Sequence, residues 1–322
     1  MINKKIGAYF LISCIVFTSC SLNKMAINAV SNALTGSGST DVFTSDSDLI
    51  LVGDALPFAI KMYETLLSQN PNHQGLLLTT GSLFIMYANA FVQGPADMLD
   101  PVFEYFQWEE GRERARQLYL RGYDHLTYAL ERRYPGIGNA RADDGSLAPF
   151  VNRFKKDDVP LIYWTVAGGL SAYILAPFDN FDLGMKIPDW YMMMAKAYEL
   201  DPEFNNGAID EFYIHFYASE AALILDLDKN LAYEHFLIAI ERTGGLSAGP
   251  YVAYAEAVNI PEQDYQSFLA NLQMALAINV DDDPPNRLMN ILSQRKARHL
   301  LWIEYELFPG EFPPPVWDDE YF

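Results

Sequence analysis

Cysteine is nearly absent from this sequence. The chain has 322 residues and two cysteines, Cys14 and Cys20, both within the first twenty positions. Beyond Cys20 there is therefore no pair for a disulfide, no thiol nucleophile and no cysteine-ligated metal site. A fold without disulfides depends on its hydrophobic core, and a chain that is 50% hydrophobic over this length can form one.

Basic residues are also scarce. The sequence has 22 Lys and Arg against 42 Asp and Glu, which gives a formal net charge of -20. An acidic surface repels a phosphate backbone, so nucleic acid is not expected as a partner. The same charge argues against broad adhesion to anionic lipid headgroups.

Catalytic and metal-binding motifs are missing as well. The five histidines are scattered, with no HExxH, and the chain has no GxSxG elbow and no P-loop. Glu211 and His215 are four residues apart on one helix face, which is more typical of a polar i,i+4 pair than of a metal site. The sequence therefore predicts no catalytic residues, no cofactor and no metal.

The first twenty residues have the order of a secretory signal. Lys4 and Lys5 precede an apolar run from Ile6 to Phe17, which is too short for a comfortable membrane span, and small residues lead into Cys20. A cysteine in this position resembles a lipobox, in which the thiol is acylated. Leu11-Ile12-Ser13-Cys14 matches the consensus more literally but shortens the apolar run, so Cys20 is the favoured lipid-attachment site. These features predict a periplasmic protein anchored by lipid to a bacterial membrane.

Four segments are expected along the chain. They are a signal peptide over 1–20, a Gly/Ser-containing flexible tether over 21–48, a helical domain over 49–308 and an acidic Pro/aromatic tail over 309–322. In the domain, apolar residues recur at steps of three and four, and strand patterns are scarce. The predicted fold class is all-α.

Helix pairs recur within the predicted domain. We expect Pro57 in the first turn of one helix, an end near Asn70-Pro71, and a second helix over about 75–92 after a very short turn. Residues 197–202 look like the close of another second helix, and residues 232–239 repeat an alanine–aromatic–alanine order. Small residues let two helices approach, and large ones fill the space to the next pair. The pattern predicts a tetratricopeptide-like helix-pair repeat, an α-solenoid.

The N-terminal part of this domain resembles one family closely. The resemblance covers roughly residues 45–135 and rests on Asp54-Ala55-Leu56-Pro57-Phe58, Tyr63-Glu64-Thr65-Leu66-Leu67, Ala90-Phe91-Val92 and the stretch from Arg114 to Gly122. The family is the TatT component, the tetratricopeptide-repeat lipoprotein associated with TRAP transporters. Membership implies a lipid-anchored homotrimer whose partner is a TRAP periplasmic solute-binding protein, with a chamber for small organic acids.

Positive charge is gathered in two segments of this acidic chain. Residues 111–156 contain ten Lys or Arg and five Asp or Glu, and residues 287–298 carry four basic residues and no acid. Such clusters attract anions, and the planar guanidinium pairs a carboxylate at two points. The predicted ligand-binding residues are Arg133, Arg153, Trp164, Arg287 and Trp302. The alternative is that the arginines pair with nearby acids at helix ends and that the tryptophans pack between helices.

Two functions from different classes stay open on the sequence. One is a transport accessory protein; the other is a scaffold lipoprotein for envelope protein assembly that binds extended peptides. A closed pocket or through-hole indicates the first, whereas an open, continuous concave face indicates the second. An enzyme is the least favoured interpretation.

Overall fold

A computed structural model describes residues 27–36, 38 and 41–312, and every regular element in this part of the chain is helical. The predicted all-α class is confirmed. Cys14, Cys20 and residues 313–322 lie outside the described residues, so the signal and lipidation stay predictions. The ten long helices are α1 (Leu49–Gln69), α2 (Gln74–Asp97), α3 (Tyr105–Arg133), α4 (Val159–Leu175), α5 (Ile187–Leu200), α6 (Ala208–Ala218), α7 (Leu231–Arg242), α8 (Gly249–Tyr254, Ala255–Asn259 and Ile260–Glu262), α9 (Tyr265–Ala277) and α10 (Arg287–Trp302).

Short helical turns occupy many of the connections. The α-helical ones are 27–34, Asp41–Thr44, Ala148–Val151, Phe181–Gly184, Glu220–Ile224 and Glu304–Leu307. The 3₁₀ turns are Ile137–Asn139, Lys156–Asp158, Phe204–Asn206 and Pro284–Asn286. Because these turns pair their own backbone groups, the connections need few partners from the long helices.

Helix α1 begins earlier than the sequence pattern predicted. Asp48 caps it, since its carboxylate accepts hydrogen bonds from the backbone N–H groups of Ile50 and Leu51, at 3.0 Å each. Pro57 therefore lies inside the helix, and its prediction as a first-turn residue was wrong. The predicted end of this helix is confirmed, because Asn70 is its C-cap.

Most helices that are neighbours in the chain pack closely on each other, while α5 and α6 meet through the stacked rings of Tyr191 and Phe216. Helices α2, α6 and α8 also pack on the second helix that follows each of them. The α2–α3 approach is close because glycines face each other there. A Cβ added to Gly81 would lie 2.9 Å from the carbonyl oxygen of Gly122. This order of contacts is the one a helix-pair repeat requires. The tetratricopeptide-like arrangement itself stays a prediction.

Two hydrophobic cores join at α6. The larger core runs from α1 to α7 and includes Tyr213 and Phe216 of α6. The smaller core is built by α8, α9 and α10 and includes Ile214 of α6 and Phe236 of α7. Helix α6 therefore contributes adjacent residues to both cores and links them into one continuous packed body.

The start of α10 contacts the segment that precedes α1. The Arg287 Nη1 atom at the start of α10 donates a hydrogen bond to the Ser45 carbonyl oxygen at 2.8 Å. Leu288, the next residue, belongs to the larger core, and Asp41–Thr44 packs against α10. The start of α10 is therefore held against the chain before α1.

Part of the segment predicted as a tether is packed on the domain. Residues 27–34 are helical, Ser31 is fully buried, and the Tyr63 hydroxyl donates to the Leu34 carbonyl oxygen at 2.8 Å. The Asn70 amide also donates to the Asn28 side chain at 2.5 Å. The described residues 27–36 are thus held by α1 and the loop after it, and the flexible tether over 21–48 stays a prediction.

Helix α2 is long and apolar enough to cross a membrane, and it is the one helix among the described residues with that property. More than half of its apolar stretch is buried inside the protein, where it packs against α1, α3 and α4. Burial on several faces accounts for a helix that is apolar nearly all round. Its composition is that of a core helix.

Candidate functional site

Four ionisable side chains from three helices form a cluster that the sequence does not bring together. Glu211 and His215 project from α6, Glu256 from α8 and Lys296 from α10. The Lys296 Nζ and Glu256 Oε2 atoms form an ion pair at 2.5 Å. The charge of Lys296 acts on both Glu211 and His215, so all four groups belong to one site, which we call the polar cluster.

The polar cluster is partly open to solvent. The His215 side chain is exposed and Glu211 is half-buried, and the side chains of Glu256 and Lys296 are 37% and 38% exposed. Neighbouring protein atoms nevertheless desolvate these groups, which raises the pKa of Glu211 to about 7 and lowers that of His215.

Glycine makes room for the Glu211 carboxyl group. The carboxyl lies against Gly249 at the start of α8, where an added Cβ would be 2.5 Å from Oε2 and 2.8 Å from Oε1. Any larger residue at position 249 would displace the carboxyl group. Among the described residues, the Glu211 carboxylate has no hydrogen-bond or ion-pair partner within bonding distance.

A π-helical turn places Glu256 in the cluster. The Ile260 N–H bonds to the Ala255 carbonyl oxygen five residues earlier, and Pro261 follows directly. The pyrrolidine ring clashes with the carbonyl group four residues before it, and a wider turn relieves that clash. Such π turns occur often at functional sites.

Helix α2 contains a second π turn of similar sequence. There the Gly94 N–H bonds to the Asn89 carbonyl oxygen, and Pro95 follows directly. Tyr87-Ala88-Asn89-Ala90 in α2 matches Tyr254-Ala255-Glu256-Ala257 in α8. The π turns are offset by one position relative to this match, since the acceptor residues are Asn89 and Ala255, so the match does not single out Glu256.

The structure brings two of the predicted ligand residues together. Arg133 forms an ion pair with the buried Asp158 at 2.8 Å, and Asp158 also accepts a hydrogen bond from the Tyr134 hydroxyl at 2.6 Å. The guanidinium carbon of Arg153 lies 5.3 Å from the centre of the Tyr134 ring. These contacts join the end of α3 to the start of α4. They are the helix-end pairings that the alternative interpretation describes.

The other three predicted residues lie at different places. Trp164 is half-buried on α4, with its ring centre 5.2 Å from that of Tyr163. Arg287 pairs with Asp281 at 2.9 Å besides its bond to Ser45, and Trp302 is 80% exposed at the end of α10. None of the contacts within the described ranges joins Arg287 or Trp302 to the pair formed by Arg133 and Arg153. Their role in ligand binding stays a prediction.

A cleft lies between α3, α4 and α5. Its volume is about 60 Å³, enough for a few water molecules. Lys186 and Asp189 line it together with Tyr123 and Trp190, while Arg141 pairs with Asp189 at 2.9 Å. Since Asp189 is already neutralised by Arg141 and accepts a bond from the Ala142 N–H at 2.7 Å, this cleft has the character of a satisfied structural site.

Sequence reasoning missed two members of the polar cluster. Glu211 and His215 were visible as an i,i+4 pair, but Glu256 and Lys296 come from 40 or more residues further along the chain. No cluster of three or more His, Cys, Asp or Glu side chains suited to a metal occurs in the described part of the chain. The ion pair between Glu256 and Lys296 links α8 to α10 in this cluster.

The structure defines an all-helical protein in which a polar cluster joins three helices. Comparison with known proteins identifies the family: residues 45–308 match the TRAP transporter T-component family. The chain is also 34% identical, over 92% of its length and 95% of the other, to a protein of Treponema pallidum (strain Nichols) described only as an uncharacterized protein. The chain belongs to the TRAP transporter T-component family, which confirms the resemblance seen in the sequence.

Proposed function

We propose that this protein is a lipid-anchored periplasmic accessory component of a TRAP-type transport system. In this proposal the chain is acylated at Cys20, assembles as a homotrimer and binds a TRAP periplasmic solute-binding protein. The match to the T-component family over residues 45–308 is the observation that carries the proposal. The protein acts by binding a partner and a small organic acid, and not by catalysis.

The family match favours a transport role over a peptide-binding scaffold, since the matched family is a component of a transporter. A scaffold that binds extended peptides would need an open concave face along the repeats, and identification of the protein's partners separates the two roles.

The test is a gentle detergent pull-down of the full-length lipoprotein from its native membranes, with mass spectrometry of the retained proteins. Recovery of a TRAP solute-binding protein supports the transport role. Recovery of envelope-assembly factors in its place contradicts that role and favours the scaffold. A Cys20→Ser variant is the control for anchoring, and we expect it to move to the soluble fraction while Cys14→Ser stays with the membrane.

A further inference from the structure

We propose that residues 313–322, which we call the distal tail, fold back onto an exposed basic face of α10 in the same chain. The face is formed by Arg295, Arg298 and Trp302, and we call it the α10 face. These residues are three and four positions apart, which places them on one side of the helix. This contact does not depend on the transport role proposed above.

The α10 face carries positive charge that has no acidic partner in the described part of the chain. Helix α10 contains four Lys or Arg residues and no acid, and two of the four pair with Asp281 and Glu256. Within the described ranges, Arg295 and Arg298 form no ion pair, and both are exposed. In a chain of net charge -20, two neighbouring guanidinium groups without a counter-ion attract a nearby acidic segment.

The distal tail has the complementary composition. Trp302, which is 80% exposed, adds an aromatic surface to the two arginines. A carboxylate pairs with an arginine at two points, and an indole packs favourably on another aromatic ring. The distal tail has three acids, three aromatic residues and no Lys or Arg, and these six residues are Trp317, Asp318, Asp319, Glu320, Tyr321 and Phe322.

The described chain ends beside the end of α10. The ring centre of Phe312 lies 5.5 Å from that of Tyr265 at the start of α9. The Tyr265 hydroxyl in turn donates to Glu304, two residues after the end of α10, at 3.1 Å. The distal tail therefore begins near the Trp302 end of the α10 face. Its ten residues span about 30 Å when extended, whereas Arg295 lies only about 10 Å from Trp302 along the helix axis.

The order of residues in the distal tail fits the α10 face when the two segments run antiparallel. In this arrangement Trp317 meets Trp302, and the acids at 318–320 follow over about 3–10 Å of extended chain. Arg298 and Arg295 lie about 6 and 10 Å from Trp302 along the axis, so the charges come into register. The prolines at 313–315 keep the first part extended and lower the entropy cost of docking.

Attachment to the same chain favours this occupant over the tail of a second copy. A short connection gives a segment an effective concentration of about millimolar at its site, which exceeds the concentration of a second molecule in dilute solution. Because the contact is electrostatic at the arginines and lies in solvent, it should also weaken as salt increases.

The experiment is zero-length cross-linking of the detergent-solubilised full-length protein with a carbodiimide, which joins a carboxylate to an amine in contact with it. Arg295→Lys and Arg298→Lys, made separately, keep the positive charge and supply the amine. We expect a cross-link from position 295 or 298 to one of the acids at 318–320, found by peptide mass spectrometry in a product of monomer mass. The Glu256–Lys296 pair, 2.5 Å apart, is the internal positive control.

The matched control is Arg132→Lys, which changes an exposed arginine at the end of α3. Its yield of cross-links to the distal tail should be at least about fivefold lower, because it lacks the raised effective concentration at the α10 face. At about 1 M salt the yield at positions 295 and 298 should fall severalfold, since the screening length shortens to about 3 Å.

Three results would overturn the proposal. The first is cross-linking of Glu256 to Lys296 without any cross-link from position 295 or 298 to the distal tail. The second is an equal yield of tail cross-links in Arg132→Lys. The third is tail cross-linking found only in products of dimer mass, which would assign the α10 face to the tail of a second copy.

Discussion

The carboxylate of Asp210, fully buried on α6, lies 2.7 Å from the Nδ1 atom of His235 on α7. The other carboxylate oxygen lies 2.8 Å from Nε of Arg242, and the Arg242 guanidinium donates to the Tyr198 hydroxyl at 3.1 Å. Rings of Tyr213 and Tyr217 cover the imidazole, with centres 4.7 and 5.5 Å away. These side chains tie α5, α6 and α7 together. Asp210 directly precedes Glu211 of the polar cluster in the sequence.

Asp210→Asn should destabilise the protein strongly. The substitution leaves the partly buried Arg242 guanidinium without a counter-ion. Removing one partner of a fully buried pair costs about 3–5 kcal/mol, and we expect about 2–4 kcal/mol for this partly buried one. Denaturant unfolding followed by circular dichroism measures the change in the free energy of unfolding. Glu241→Gln on α7, an exposed position, should change it by less than about 0.5 kcal/mol. Equal effects of the two variants would show that the Asp210 group has no structural role.

Gly169→Ala should disturb the α4–α5 contact. An added Cβ would lie 2.4 Å from Cζ2 of Trp190 and 2.8 Å from a ring carbon of Tyr123, and Trp190 is fully packed. We expect a loss of about 1–3 kcal/mol in the free energy of unfolding, because rigid rings cannot move aside without strain. Gly310→Ala has no atom within 4 Å of its added Cβ and should be neutral in the same assay. A neutral Gly169→Ala would contradict the close packing described here.

Glu211→Gln should stabilise the protein at alkaline pH. The folded-state pKa of this carboxyl is raised to about 7 by desolvation, from an ordinary value of 4.5. Below about pH 4.5 the carboxyl is neutral in both states and contributes no difference. As the pH rises from about 4.5 through 7, this carboxyl ionises more readily in the unfolded state than in the folded state. The wild type therefore loses stability, by about 1–3 kcal/mol after allowance for partial solvation.

The measurement is thermal unfolding of the wild type and Glu211→Gln at several values between about pH 4.5 and pH 8.5. The difference in stability should be near zero at the acid end and largest above pH 7. Glu241→Gln serves as the control for the loss of one acidic charge. A difference that does not depend on pH would show that Glu211 is not desolvated as described.

Arg287→Ala should loosen the junction between α10 and the segment before α1. The guanidinium bonds Ser45 at 2.8 Å and Asp281 at 2.9 Å, and loss of the partly buried charge-assisted bond should cost about 1–2 kcal/mol locally. Hydrogen exchange of backbone amides in residues 41–52 should become about tenfold faster or more. Arg295→Ala, an exposed position on the same helix, should leave exchange in that segment unchanged. Unchanged exchange in Arg287→Ala would exclude the structural role of this contact.

The local structure was largely predictable from the sequence. The end of α1 at Asn70 and the start of α2 after a short turn follow from proline and helix-capping residues, which act within a few positions. Pro57 has the properties of a first-turn residue and predicts a later start for α1, whereas the helix begins after its N-cap residue Asp48. Proline inside a long helix is tolerated when the surrounding packing, here Val52, Leu56 and Ile60 in the core, holds the helix together.

The candidate site was less predictable for a physical reason. The net charge along the chain indicates clusters of arginines, but Arg133 forms an ion pair with Asp158 and Arg287 forms one with Asp281. The number of charged residues in a segment does not show which of them form ion pairs. The pairs that form depend on which helix ends meet.

The sequence by itself determined the helical class and the family, because helix periodicity, capping and sequence motifs are local properties of the chain. Only the tertiary structure decided that Glu211 lies against Gly249 and that Glu256 pairs with Lys296. Glu211, Glu256 and Lys296 lie on three different helices, and periodicity shows which face of a helix is apolar but not which polar faces turn toward each other. The packing of α6 on α8 and of α8 on α10 makes that choice.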